Sequence, residues 1–410
     1  MTARRAMALA ALIPFLFAMD IVVKPPPGFA QAGRPPWKSE VCGARRTCRI
    51  AKTTPAGRSA SGAPLVVAEV RFGIADKPEG APDQGCTVED GENDGGAEYW
   101  LIEDKTVRRL LSSCNGSYGT AGGEDAVEIS DNRFSSSSTG GSAQRFEEHR
   151  TVQLSPLRVL SFSQSLFRAA ADPSFRRDSN TDVPTMTTRE TVSFGDDQES
   201  AFALPMPKLE TAIPPSTPLG DCAMRVGPDN LGDFLTFGKL DPRRRPELRL
   251  LAVTGSELVV QIYDPAPAPQ GQSWVHSDHI EIWTADESGK EDGVRADPAK
   301  VSQIGIPLKD AHAYAGVGRP QLPQVAAFAA ADEPGRSVTV LDMRWPATIL
   351  DRGVAVVYSQ AENGRQVRLF ATTEIDRNRP VHLPEPAGLP VTCGVRHGRL
   401  TSVGFTIPDP

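Results

Sequence analysis

Nowhere does this chain repeat its apolar residues at the helical spacing for long. Its apolar residues come instead in short runs, many alternating with polar ones and separated by turn residues. That pattern excludes a helical bundle and predicts strands. With 36 prolines and 36 glycines the chain has the punctuation for many turns and short elements. Before residue 205 the expected strands are Leu65–Phe72, Glu98–Ile102, Thr106–Leu111, Asp125–Ser130, Phe146–Leu154, Leu157–Leu166 and Glu190–Phe194. Beyond residue 220 they are Glu247–Val253, Glu257–Tyr263, Asp278–Thr284, Val301–Ile306, Ser337–Arg344, Val354–Ser359, Gln366–Thr373 and Leu400–Ile407. Asn363-Gly364 marks a hairpin, because both residues accept the positive φ of a two-residue turn. Ser135–Gly141 is low in complexity and is expected to be a mobile loop.

A boundary is expected between the two groups of strands. The segment 205–220 carries prolines at 205, 207, 214, 215 and 218, a density that no sheet or helix interior tolerates. It reads as a stiff, extended linker. The fold class expected is therefore all-β: two antiparallel β-sandwich or barrel-like domains, 33–204 and 221–410, joined by the proline-rich linker.

The first 32 residues read as a secretory signal peptide. Arg4 and Arg5 precede an apolar run from Ala6 to Met19, and Ala30-Gln31-Ala32 is a small-x-small cleavage site. The apolar run is shorter than a membrane span, and no stable span is expected after cleavage. An exported chain meets oxidising conditions, so the six cysteines, Cys42, Cys48, Cys86, Cys114, Cys222 and Cys393, are expected as disulfides. Fifteen connectivities are open to six cysteines. Domain logic favours Cys42–Cys48, Cys86–Cys114 and Cys222–Cys393. The formal net charge of −7 argues against a nucleic-acid partner, since an acidic surface repels phosphate backbones. A periplasmic or secreted location follows from the leader and the cysteines together.

The stretch with the most chemical content runs from Leu258 to Trp283. An apolar strand ends in Asp264, a proline-rich loop follows, and then come Trp274, Asp278 and Glu281 within Trp274-Val-His-Ser-Asp-His-Ile-Glu-Ile-Trp283. This order resembles the family 9 carbohydrate-binding modules over about residues 247–284, and extends more loosely over 220–375. The resemblance implies an antiparallel β-sandwich that holds sugar chain ends or another ligand at a loop edge.

The residues also speak for themselves. On a strand, Asp278, Ile280 and Ile282 share one face, and His279, Glu281 and Trp283 share the other. The first is directed to a core. The second sets an acid, an imidazole and an indole in a row, a surface that suits sugar. Trp274, His279, Glu281 and Trp283 are therefore the candidate ligand contacts, against the plainer reading that Trp283 packs beneath a loop which Glu281 fixes. A metal on His276, Asp278, His279 and Glu281 is opposed by strand alternation, which splits them between faces. A structural calcium ion on Asp264, Asp278 and loop carbonyls is chemically reasonable.

In the first half, Glu124, Asp125 and Glu128 are the acids that could form a cation site or a catalytic pair. The Arg243-Arg-Arg245 run reads as a solvated turn. The chain contains no G-x-S-x-G, H-E-x-x-H or P-loop sequence. The function expected is an exported, non-catalytic protein binding a glycan or a similar ligand through the C-terminal sandwich. The alternatives are an envelope protein-interaction or structural protein, and a hydrolase with its site in the N-terminal half.

Overall fold

The computed structural model describes residues 37–42, 48–71, 97–113, 124–141, 144–168, 174–195, 199–214, 217–228, 236–267, 273–285, 299–310, 312–333, 336–377, 379–389 and 391–405. The proposed leader, Cys86 and Cys114 lie outside them. The chain is nearly all β, with antiparallel pairing dominant and one five-residue α-helix, Lys38–Cys42, among the described residues. Among the described residues no helix is long and apolar enough to cross a membrane.

The first half is built from two antiparallel meanders. Arg49–Arg58, Pro64–Arg71, Ala97–Glu103 and Thr106–Ser113 pair in chain order as a four-stranded sheet. Glu124–Ser130, Arg133–Gly140, Gln144–Gln153, Arg158–Arg168, Phe175–Asp182, Thr187–Phe194 and Glu199–Ala203 form a seven-stranded sheet, again in chain order. Asp104 and Lys105 turn between Glu103 and Thr106, with Asp104 at φ 53°. Ser135–Gly141 is a correction to the sequence reading: Arg133–Gly140 is a strand, paired on both sides. Serine is a poor strand former alone, but Phe134 anchors this one by sitting between Ile129 and Val152 in an apolar row.

The second half is a two-sheet sandwich. One sheet has the order Gln324–Glu333, Arg336–Arg344, Glu257–Tyr263, Glu247–Val253, Pro207–Leu209, Ala387–Gly388, with Met224–Val226 also on Glu247–Val253. The other has the order Thr236–Phe237, Arg365–Ala371, Val354–Glu362, His279–Ala285, Val301–Pro307, Tyr314–Ala315. The core between them joins Leu248, Leu250, Leu258, Val260, Ile262, Leu341 and Met343 of the first sheet to Ile280, Ile282, Ile304, Ile306, Val356, Tyr358 and Phe370 of the second. Each set steps by two along its strand, as a one-sided face requires. Asn363 and Gly364 turn between Glu362 and Arg365 with φ of 51° and 70°, the hairpin that their sequence announces.

Part of the proline-rich stretch is built into the fold. Leu204 and Met206 lie in the sandwich core, and Pro207–Leu209 pairs in parallel with Glu247–Val253 on one side and Ala387–Gly388 on the other. Pro207 opens the strand, the position where its missing N–H costs least. The two halves also share a core. Leu251, Val253, Val259, Val338 and Val340, on the outer face of the first sandwich sheet, pack in one apolar cluster with Ala56, Leu65, Phe134, Val152 and Leu154 of the first half. Disulfides join Cys42 to Cys48 and Cys222 to Cys393.

Candidate functional site

The His279–Ala285 strand lies at the centre of the second sandwich sheet, between Val301–Pro307 and Val354–Glu362. Its two faces separate as alternation dictates: Ile280 and Ile282 enter the core, while His279, Glu281 and Trp283 line the sheet's outer side. That outer side is covered. Trp283 is 2% exposed and packs with Val301, Ala355, Val357 and Ala371 beneath Phe237, Val317, Leu369 and Ile375. His279 and Glu281 are buried too.

Glu281 is the hub of this face. Its Oε2 accepts from Trp283 Nε1 at 3.0 Å and Gln303 Nε2 at 2.8 Å. Its Oε1 meets His279 Nε2 at 3.2 Å and accepts from Gln366 Nε2 at 3.2 Å. His279 Nδ1 faces the Ser277 carbonyl oxygen at 2.7 Å. Both ring nitrogens thus face oxygen atoms. Burial alone would raise the Glu281 pKa. The donors, with His279 foremost, outweigh it and hold the carboxyl below the usual glutamate range.

The sign of the pH effect follows. A carboxyl whose folded-state pKa is depressed contributes stability above its unfolded pKa, and this is lost as pH falls through the folded value. Denaturant unfolding of wild type and Glu281→Gln between pH 7 and pH 3 is expected to give a constant difference down to about pH 5, shrinking below about pH 4. A difference independent of pH across that range would remove the charge from the account.

Above this floor is a groove of about 330 Å³, bounded by Trp274, Val275, Gln303, Gln366, Arg377 and Arg379 as well as the floor residues. Trp274 starts the short 3-10 turn Trp274–His276 and is half-buried. Its indole stands edge-on to the His279 ring, with centroids 4.9 Å apart and an interplanar angle of 86°. It also lies on Gly305, where any Cβ would collide with the ring. The arginines come from the Ile375–Asp376 and Arg379–Pro380 hairpin at the groove's edge.

All four expected contact residues line one groove, but not in equal roles. Trp274 stands at its open side, while His279, Glu281 and Trp283 form a hydrogen-bonded floor. The expectation that the Trp283 indole stacks on a sugar meets a ring covered by neighbours, as the packing reading of Trp283 has it. Gln303, Gln366, Arg377 and Arg379 are additional. Register brings Gln303 opposite Trp283, but nothing local marks the arginines.

Asp264 and Asp278 are also brought together, away from the groove. The cation between them is a side chain: Arg244 Nη2 donates to Asp264 Oδ2 at 2.8 Å and to Asp278 Oδ2 at 2.7 Å. Asp264 Oδ2 accepts further from Tyr358 OH at 2.7 Å and Gln360 Nε2 at 2.9 Å, and Asp278 Oδ1 accepts from Ala361 N at 2.7 Å. A calcium ion here would have to displace Arg244. Among the described residues no group of three or more His, Cys, Asp and Glu side chains could hold a metal ion. Burial works to raise the Asp264 pKa, but Arg244 and the other donors bring it below the usual range. Burial, then the Asp264 charge, pushes the Tyr358 phenol far up. The arginine run therefore divides: Arg243 is exposed, while Arg244 is buried.

In the first half, Asp125 pairs with Ser138 and Glu128 with Ser135, so the two acids point to opposite faces of their strand and form no pair. The Glu124 side chain lies outside the described residues.

No family model matches the chain, and no curated protein matches it. Among solved structures it is weakly similar to a family 9 carbohydrate-binding module from Caldicellulosiruptor kristjanssonii in complex with cellotriose. The identity is 11%, the TM-score is 0.29, and the match covers 40% of this chain and 83% of that one.

Proposed function

We propose that this chain is an exported, non-catalytic binding protein whose C-terminal sandwich takes a glycan, or a ligand similarly rich in hydroxyls, in the groove beside Trp274. The observation that carries the reading is the lining of that groove. A half-buried indole stands next to two amides and two guanidinium groups, over a floor whose hydrogen bonds are already made. An aromatic face takes sugar C–H groups, and amides and guanidinium groups take hydroxyls. A pre-organised floor lowers the entropy cost of binding. Two disulfides support an oxidising compartment, and with it export to the periplasm or the medium.

A glycan-array screen of the full oxidised chain, followed by tryptophan-fluorescence titration with the hits, tests the proposal. Trp274→Ala is expected to weaken binding by about tenfold or more, the equivalent of about 1.4 kcal/mol, in a variant that circular dichroism shows to be folded. Unchanged affinity in Trp274→Ala would sink the assignment of the groove. A folded wild type that takes no glycan would sink the ligand class and leave a protein partner in front.

A further inference from the structure

The strand Gln144–Gln153 presents alternate residues to the inner face of the seven-stranded sheet, where the four-stranded sheet packs. Val152 lies in the shared core on that face. One step above it, where another apolar residue would be expected, stands Arg150. It is 9% exposed, and its Nη1 has no hydrogen-bond partner among the described residues. Its guanidinium lies over the Phe162 ring, 5.5 Å from the centroid. Burial pushes its pKa down, opposed by the charge of Glu148. The charge of Glu148 offsets part of the desolvation cost, but among the described residues Nη1 has no acceptor.

Arg150 faces a recess of about 30 Å³ between the sheets, lined also by Leu111, Phe162, Ser138, Asp125 and Glu148. Ser138 Oγ is likewise buried with no partner among the described residues. Two unsatisfied donors thus converge on one small space. A single water occupies roughly 10–15 Å³ by this measure, so the recess holds two or three heavy atoms.

We propose that this recess is an anion site, in which Arg150 and Ser138 bind the carboxylate head of a small ligand. The head accepts hydrogen bonds from the guanidinium and the hydroxyl, a charge-assisted arrangement that repays the buried charge. Leu111 and Phe162 offer apolar contact to whatever the head carries. Asp125 and Glu148 disfavour a multiply charged anion and suit a head with a hydroxyl or amine beside it. The site is independent of the groove at Trp274, and either can fail without the other.

The test is isothermal titration of the full oxidised chain with acetate and hexanoate, at ionic strength matched with sodium chloride. One-site saturable binding of at least one probe is expected, weakened tenfold or more by Arg150→Met, which keeps the apolar stem and removes the donors. Hexanoate binding more tightly than acetate would identify the head of a tailed ligand, and equal affinity would identify a free anion. Should Arg150→Met fail to fold, Ser138→Ala removes the hydroxyl from the same recess and is expected to weaken binding severalfold. The proposal is overturned if folded wild type binds neither acetate nor hexanoate saturably, or if the folded variants bind as wild type does.

Discussion

Replacing Arg244 with methionine is expected to destabilise the protein by about 3–5 kcal/mol at neutral pH, because it leaves two buried carboxylates with no cation between them. The Asp264 and Asp278 side chains are 1% and 2% exposed, and both meet the same guanidinium nitrogen. Among the described residues, their further partners Tyr358, Gln360 and two backbone amides are neutral donors. In the variant, one carboxyl can relieve the repulsion by taking a proton. Its folded-state pKa would then lie above the unfolded one, so the penalty should be smaller at pH 4 than at pH 7. Arg243→Met is the control: that side chain is 90% exposed, and its loss should fall within about 0.5 kcal/mol of wild type. Urea unfolding of both variants at the two pH values decides the matter. A penalty below about 1 kcal/mol, or one that grows on acidification, would contradict the buried-pair account.

The second large effect belongs to Cys222–Cys393. This bond closes a sequence separation of 171 residues, against 6 for Cys42–Cys48. On the loop-closure relation the long bridge contributes about 5 kcal/mol and the short one about 2 kcal/mol, through restriction of the unfolded chain. Cys222→Ala with Cys393→Ala should therefore lower the unfolding free energy by roughly twice as much as Cys42→Ala with Cys48→Ala. Alanine suits the test, since Cys222 is fully buried among apolar neighbours. Equilibrium denaturation of the two double variants is the measurement. Equal losses would mean that the native surroundings of each bond, rather than chain entropy, set its contribution.

Much of the fold is legible in the sequence wherever one face of a strand is buried and the turn is chemically marked. Glu247–Val253 and Glu257–Tyr263 are read residue for residue, because apolar runs flank a Thr-Gly-Ser turn. Arg133–Gly140 is missed because its serines carry no local signal, and its stability comes from neighbours on both sides. The proline-rich stretch misleads differently. Prolines at a strand's start are compatible with pairing, but only the finished sheet shows which bonds their neighbours make.

The site is legible in part for the same reason. Alternation places His279, Glu281 and Trp283 on one face, but it is silent on what covers that face. Val317, Leu369 and Ile375 come from distant segments of the chain and turn an expected contact surface into a floor. Arg244 is hidden by its company: three consecutive arginines look solvated, and the acids that bury the middle one lie 20 and 34 residues away. Arg150 is likewise one basic residue among many until the sheet turns it inward.

The sheet built on Glu247–Val253 is apolar on both faces and contains a strand from the proline-rich stretch. Here a cut at residue 220 would remove Leu204, Met206 and the Pro207–Leu209 strand, and strip the cover from Val253, Val259 and Val340. Such a fragment would carry a new sticky wall and an open strand edge, the two features that drive self-association. Portability is thus traded for a shared frame, and the two ligand sites proposed for this chain are bolted to it from opposite ends of the sequence.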